Sequence, residues 1–252
     1  DITTTLTATA SNTGGYAGTE TATTTVKNTD NDTAGITIAQ TGSTDGSGNL
    51  LTTEAGGTST FTVVLDAQPT ANVTVNLSGA DSTEHSLSSS SLTFTTSNWD
   101  TAQTVTVTGA NDNLDDGDIT TTLTATASNT GGYAGTETAT TTVKNTDNET
   151  AGITIAKTGS TDGSGNLLTT EAGGSSTFTV VLDAQPTANV TVTLSGADST
   201  EHSLSSSSLT FTADNWNTAQ TVTVTGANDI LVDGDITTTL TATASNTGGY
   251  AG

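Results

Sequence analysis

Val26–Ile38 reads VKNTDNDTAGITI, and the same stretch returns at Val143–Ile155 as VKNTDNETAGITI. A Thr- and Val-rich run ends just before the acidic segment, and a second run of β type opens just after it. The stretch therefore reads as a joint, in which the last strand of one domain passes through a short acidic linker into the first strand of the next. The linker carries Asp30 and Asp32 in one copy and Asp147 and Glu149 in the other. Hard oxygen donors at a domain junction suggest a calcium ion there, because calcium collects several carboxylate and carbonyl oxygens at once.

Working outward, the segment DITTTLTATASNTGGYAG begins at Asp1, Asp118 and Asp235, which sets a period of 117 residues. Long tandem repeats mean an array of like modules. Segment 34–135 differs from 151–252 at few places, among them Gln40/Lys157, Asn76/Thr193, Ser97/Asp214, Asp100/Asn217 and Asp115/Val232. Modules so alike extend a length or multiply a weak site rather than divide chemistries.

Composition narrows the function classes. The chain has 252 residues, 26 of them acidic and 3 basic, for a net charge of −23. Nucleic acid and anionic membrane surfaces are excluded as partners, since binding phosphates needs clustered Lys and Arg. There is no cysteine, hence no disulfide or thiolate chemistry. No apolar run approaches the roughly 18 residues of a membrane span. The chain opens mid-pattern at Asp1 and shows no signal peptide, which reads as a piece of something longer. Only 31% of residues are hydrophobic. The core is expected to be thin, built from Val, Ile, Leu and Thr methyls, and bound cations would relieve the carboxylate repulsion around it.

Within one period, alternating Thr/Val runs mark seven strands at 35–39, 58–65, 72–78, 91–95, 103–109, 118–127 and 137–145, with no stretch of helical spacing. That pattern predicts an all-β chain of tandem antiparallel β-sandwich modules of immunoglobulin-like type. If each strand reverses the last, the loops after the first, third and fifth strands share one end with the close of the seventh. That end collects Asp45, Glu54, Asp81, Glu84, Asp112, Asp115, Asp116, Asp118, Asp147 and Glu149. The opposite end has mainly Asp66 and Asp100, and Asp183 of the following module is placed to complete the joint.

TTEAGG before a TFTVVL strand, SLTFT-x-x-NW-x-TAQTVTVTG, the NDxxxDGD loop and the closing NTDND together resemble Calx-beta modules, and in particular the repeats of giant bacterial adhesins of the RTX type. The resemblance spans the whole period. It implies a calcium site at the acidic end near the linker and a stiff extender arm built from tandem copies. By that resemblance Glu54, Asp81, Asp112, Asp116, Asp118 and Asp147 are ligands, with Glu171, Asp198, Asp229, Asp233 and Asp235 at the same positions of the next module. Asp115 faces Val232 in the other copy and is not a required ligand.

Other motifs have plainer readings. NDNLDDGD is a calcium loop or a solvated acidic turn, and its spacing is not that of an EF-hand. Asp45 in STDGSGN reads as an Asp-Gly turn. His85 and His202, one per module and without a second histidine or a cysteine, read as solvated loop residues rather than zinc ligands. Trp99 and Trp216 read as plugs at the foot of the sandwich rather than sugar platforms. Tyr16, Tyr133 and Tyr250 lie in GGYAG, which lacks the helix and lysine of a phosphate cradle and is expected to pack on a neighbouring linker. The serines lack a base partner, so no nucleophilic triad is expected and the chain is not read as an enzyme.

In this register residues 1–33 are the closing strands of a preceding module, 34–150 is a complete module, and 151–252 is a following module without its last strand. The alternative register, with modules opening at Asp1 and Asp118, would place the joint inside a domain. The edge left in 151–252 lies roughly 40 Å from residues 1–33 of the same chain, by the length of eight-residue strands plus loops. Residues 18–33 of another chain, docked head to tail, are expected to complete it. Two functions follow. The first is a calcium-rigidified extender of a bacterial cell-surface adhesin, extracellular and acting in adhesion or biofilm formation through neighbouring repeats of the same protein. The second is a repeated weak carbohydrate- or surface-binding module.

Overall fold

Threonine alternates with Val, Leu or Phe along most strands, so each has one face of methyls and rings and one of hydroxyls. Two such sheets laid face to face bury the first and solvate the second. A computed structural model, which describes residues 1–232 and 234–251, takes this form. Among the described residues there is no helix.

The chain opens with a hairpin of β1 (Ile2–Thr9) and β2 (Thr21–Asn28), which pair only with each other. The first module follows, with β3 (Ile36–Gln40), β4 (Leu50–Thr53), β5 (Thr58–Leu65), β6 (Val73–Ser78), β7 (His85–Leu87), β8 (Ser91–Phe94), β9 (Gln103–Gly109), β10 (Ile119–Ala127) and β11 (Thr138–Thr146). One sheet has the order β3-β5-β9-β7 and the other β4-β11-β10-β6-β8. Between them lies one core, centred on Phe61, Val63, Val75, Phe94, Val105, Leu123 and Val143. Among the described strands of this module all pairings are antiparallel except β4 with β11, which run parallel from Leu50↔Val143 to Thr53↔Thr146. The second module holds β12 (Ile153–Lys157), β13 (Ser175–Leu182), β14 (Val190–Ser195), β15 (His202–Leu204), β16 (Ser208–Phe211), β17 (Gln220–Gly226) and β18 (Thr241–Ala244). Its sheets are β12-β13-β17-β15 and β16-β14-β18, around a second core that includes Phe178, Val192, Phe211 and Val222.

The seven expected strands of the first module are present, and β4 and β7 are additional. Both are too short to show alternation in sequence, and both exist because a long neighbour offers a free edge, β11 for β4 and β9 for β7. This β7 overturns the reading of His85 as a solvated loop residue. Pairing His85 with Gly109 turns the imidazole inward, where it is buried, lies 3.2 Å from Thr121 Oγ1 through Nε2, and is held below its ordinary pKa by that burial. His202 is likewise buried, 3.1 Å from Thr238 Oγ1. Trp99 is half-buried against the core, as a plug would be. Tyr133 is buried, and its hydroxyl donates to Ala67 O (2.9 Å) and Gly35 O (3.3 Å), which ties the GGYAG loop to the point where the module opens.

The modules touch through the loop between β9 and β10. Gln185 N donates to Asn113 O (2.7 Å), and Leu114 makes a parallel bridge to Gln185. Asp115 Oδ2 accepts from Ala151 N (2.7 Å). Among the described residues, no helix is long and apolar enough to cross a membrane.

Candidate metal centre

Position 54 is set by the β4–β11 ladder, which Glu54 N extends by donating to Thr146 O (3.1 Å). The side chain turns under the end of the sheet and is 3% exposed. Immediately after β11 the linker folds back on itself. Glu149 N donates to Asp147 Oδ1 (2.8 Å), and Gly117 N donates to Asp147 Oδ2 (2.7 Å). Carboxylate oxygens of Glu54, Asp147 and Glu149 thereby converge to within 4.8 Å of one another. Asn148 partly compensates, its backbone N–H and Nδ2 donating to Glu54 Oε2 at 3.4 and 3.2 Å.

Glu54 is pushed up to about 8, first by burial, then by the hydrogen bond it shares with Glu149 and by the charges of Glu149 and Asp112. Glu149 Oε2 is buried with no hydrogen-bond partner. A buried carboxylate oxygen without a donor is costly unless a proton or a cation meets it. A hard divalent cation fits this set, because it would satisfy that orphaned oxygen and let Glu54 ionise.

A second group lies nearby. Oxygens of Glu84, Asp112 and Asp116 also come within 4.8 Å of one another. Burial pushes Glu84 and Asp116 upward, with neighbouring carboxylates adding to it. Asn145, at an inward position of β11, lies behind this group. It accepts from Thr52 Oγ1 (2.9 Å) and donates through Nδ2 to Glu84 Oε2 (3.4 Å) and Ala110 O (3.2 Å). Gly109 makes the closeness possible, since a Cβ there would meet Thr53 O and Asn145 Oδ1.

The remaining sequence-predicted residues are not gathered into either group, although Asp118 Oδ1 accepts from Asp147 N (3.2 Å) at the edge of the first. Asp81 caps its own turn by accepting from Thr83 Oγ1 (2.7 Å), which holds it below the usual carboxylate range. Asp118 is ion-paired to Lys144 (2.6 Å), with the same downward effect. Asp45 sits in the expected turn, accepting from Ser47 N and Asn49 N. Asp183 accepts from Thr154 Oγ1 (2.7 Å) within its own module and belongs to neither group. Asp30 N donates to Asp1 Oδ1 and Asp32 N to Asp30 Oδ1 at the exposed end of the hairpin, repeating the Asp118–Asp147–Glu149 pattern. In the second module Glu171 and Asp235 are exposed, Asp198 caps Thr200, and Asp229 accepts from Leu231 N. Asp233 lies outside the described residues.

Sequence reasoning passed over Glu84 and Asn145. The signal for Asn145 was present, since it occupies an inward position in a strand whose other inward residues are Thr141 and Val143. A buried amide there needs polar partners. Glu84 was visible at the acidic end, but its approach to Asp112 and Asp116 depends on β7.

Neither a protein-family model nor a curated protein matches the chain. Among solved structures it is similar to CBD12 from CALX1.2, at 17% identity over 81% of this chain and 79% of that one, with a TM-score of 0.31. It is similar also to the calcium binding domain CBD12 of CALX1.1, at 18% identity over 73% and 75%, with a TM-score of 0.30. YadV chaperone follows at 10% identity over 85% and 95%, with a TM-score of 0.29. At such scores these likenesses carry no argument about ligand or role.

Proposed function

We propose that the chain is a calcium-rigidified extender of a bacterial cell-surface adhesin, working outside the cell in adhesion or biofilm formation. The observation that carries this reading is the Glu54–Asp147–Glu149 group. It joins the turn after β4 to the linker at the one place where the first module passes into the second. Calcium, when bound, would supply the positive charge that these carboxylates lack and would tie turn to linker. Glu54, Asp147 and Glu149 would hold one ion; Glu84, Asp112 and Asp116 offer a second place. The chain's own residues do the rest. Asn148 orients Glu54, Asn145 holds Glu84, and the loop of Asp112 and Asp116 also carries Asn113, Leu114 and Asp115, which contact the next module. Ordering that loop would stiffen the joint.

Near-identical tandem modules, a net charge of −23 and the absence of cysteine suit a long arm outside the cell, where calcium near millimolar matches sites of about 10⁻⁴ to 10⁻³ M. The carbohydrate-binding alternative loses its aromatic platform, because Trp99 packs on the core and Tyr133 is buried. Calorimetric titration of calcium into the chain tests the proposal. The wild type should bind in the submillimolar to millimolar range, and the Glu54→Gln, Glu149→Gln double variant should lose at least one site. Equal binding by both would refute the assignment.

A further inference from the structure

The first module sets an opening strand and its closing strand side by side, pointing the same way. β4 follows β3 from the module's entrance, β11 leads into the linker, and the two pair in parallel from Leu50↔Val143 to Thr53↔Thr146. Entrance and exit lie at opposite ends of the sandwich. Gly35 meets Asp66 and Tyr133 where β3 begins, and Asp147 meets Gly117 and Glu149 where β11 finishes. Tension between Thr33 and Thr150 therefore acts along the strands, drawing β4 toward the entrance and β11 toward the exit. The pairs between them are then sheared together, whereas tension across the strands would open them one after another.

We propose that the β4–β11 ladder is a shear clamp, the element that sets how much pulling force along the chain the first module withstands. Its use under load rests on the extender reading of the preceding section; its geometry does not. The inward residues of both strands, Leu50, Thr52, Val143 and Asn145, are no more than 1% exposed, so water is kept from replacing a bond as it breaks. Side chains fasten the same ladder. Thr52 Oγ1 donates to Asn145 Oδ1 (2.9 Å), Thr146 Oγ1 donates to Thr52 O (3.3 Å), and Glu54 N donates to Thr146 O (3.1 Å) at its end.

The neighbouring strands direct the load to this ladder. β3 is pulled first, but Ile36 is its one buried residue, so its pairs with β5 stand open to water and give way earlier. The load then passes to β4. β11 is held on its other side by the longer ladder to β10, from Ile119↔Asn145 to Thr126↔Thr138, so β4 is the strand that leaves. Where the calcium reading also holds, an ion shared by Glu54, Asp147 and Glu149 would tie the residue after β4 to those after β11 and add resistance in the same direction.

Single-molecule pulling of the full chain tests the inference. The chain has no cysteine, so introduced pairs at exposed positions are unique attachment points. Thr33→Cys with Thr150→Cys loads the ladder in shear. Ser47→Cys with Thr136→Cys, just before β4 and β11, opens it from one end. In chelator the first pair should rupture at about twice the force of the second or more, because four residue pairs break together rather than in turn. Thr52→Val keeps the shape of the side chain but removes its bond to Asn145, and should lower the shear force more than the opening force. Equal forces in the two directions, or a shear force that Thr52→Val leaves unchanged, overturn the clamp. A shear force that exceeds the opening force in chelator and rises no further in calcium upholds the clamp and counts against the ion alone.

Discussion

Segments 34–135 and 151–251 are nearly the same sequence, but their structures diverge along one edge. In the first, β10 runs for nine residues and β4 is a strand; in the second, the counterpart of β10 is β18, four residues long, and the counterpart of β4 makes only isolated bridges at Leu167 and Thr170. Ile38 and Leu51 are partly covered in the first, whereas Ile155 and Leu168 are exposed in the second. Away from that edge the modules agree closely, with Phe61 and Phe178, Val75 and Val192, and Phe94 and Phe211 all buried. The difference is β11. That strand closes the sandwich, pairs β4, places Asn145 behind Glu84, and delivers Asp147 and Glu149 to Glu54. One strand thus completes both the fold and the acidic site, while its free copy in the hairpin does neither.

The largest expected effect comes from disabling that strand. Val143→Asp places a charge at a fully buried position and should destabilise the first module by about 3 kcal/mol or more. Val26→Asp, the same change in the free copy, should stay within about 0.5 kcal/mol at monomeric concentrations. Chemical denaturation reads both, and similar losses would break the comparison.

Calcium should come next. At 10 mM, a site of about 10⁻⁴ to 10⁻³ M would stabilise the first module by roughly 1.5–3 kcal/mol. Glu54→Gln should remove most of this gain and Glu171→Gln little of it, because among the described residues Glu54 is gathered with Asp147 and Glu149 and Glu171 is in no such group. In chelator, pH should reveal the same residue. A carboxyl whose folded pKa is raised from 4.5 to about 8 favours the folded state in its protonated form. The stability it supports is fully present below about pH 4.5 and is lost as pH rises toward 8. Saturating calcium, or Glu54→Gln, should flatten that fall in a melting series.

His85→Ala should cost about 2 kcal/mol, from a cavity and an unpaired Thr121 hydroxyl, as read by thermal denaturation. A solvated loop histidine would cost almost nothing. Asp115→Ala should have the smallest effect. It removes one partly exposed hydrogen bond to Ala151 N, worth about 1 kcal/mol at most. Its signature is faster amide exchange at Ala151 with the modules' own melting unchanged.

Much of this was legible in sequence because the strands are long and alternate strictly. The Thr/Val periodicity of 58–65 and 103–109 gives the strands, and the loop order gives the acidic end. Hidden were features that depend on a neighbour. β4 and β7 exist through the free edges of β11 and β9, and with them come the burial of Glu54 and His85. The ligand set shows the same limit. Asp81, Asp118 and Glu54 look equivalent as acidic loop residues, yet Thr83 satisfies the first, Lys144 the second, and only Glu54 is carried beneath the sheet. Composition cannot rank them, because the ranking lies in which carboxylates find a donor.

The joint carries the central claim, and small-angle scattering of the dilute chain in calcium and then in chelator tests it most directly. An ion that ties Glu54 to the linker predicts an extended, rod-like profile in calcium that shortens and becomes flexible in chelator. The same profile in both would contradict a calcium-locked joint and leave the acidic end a solvated surface.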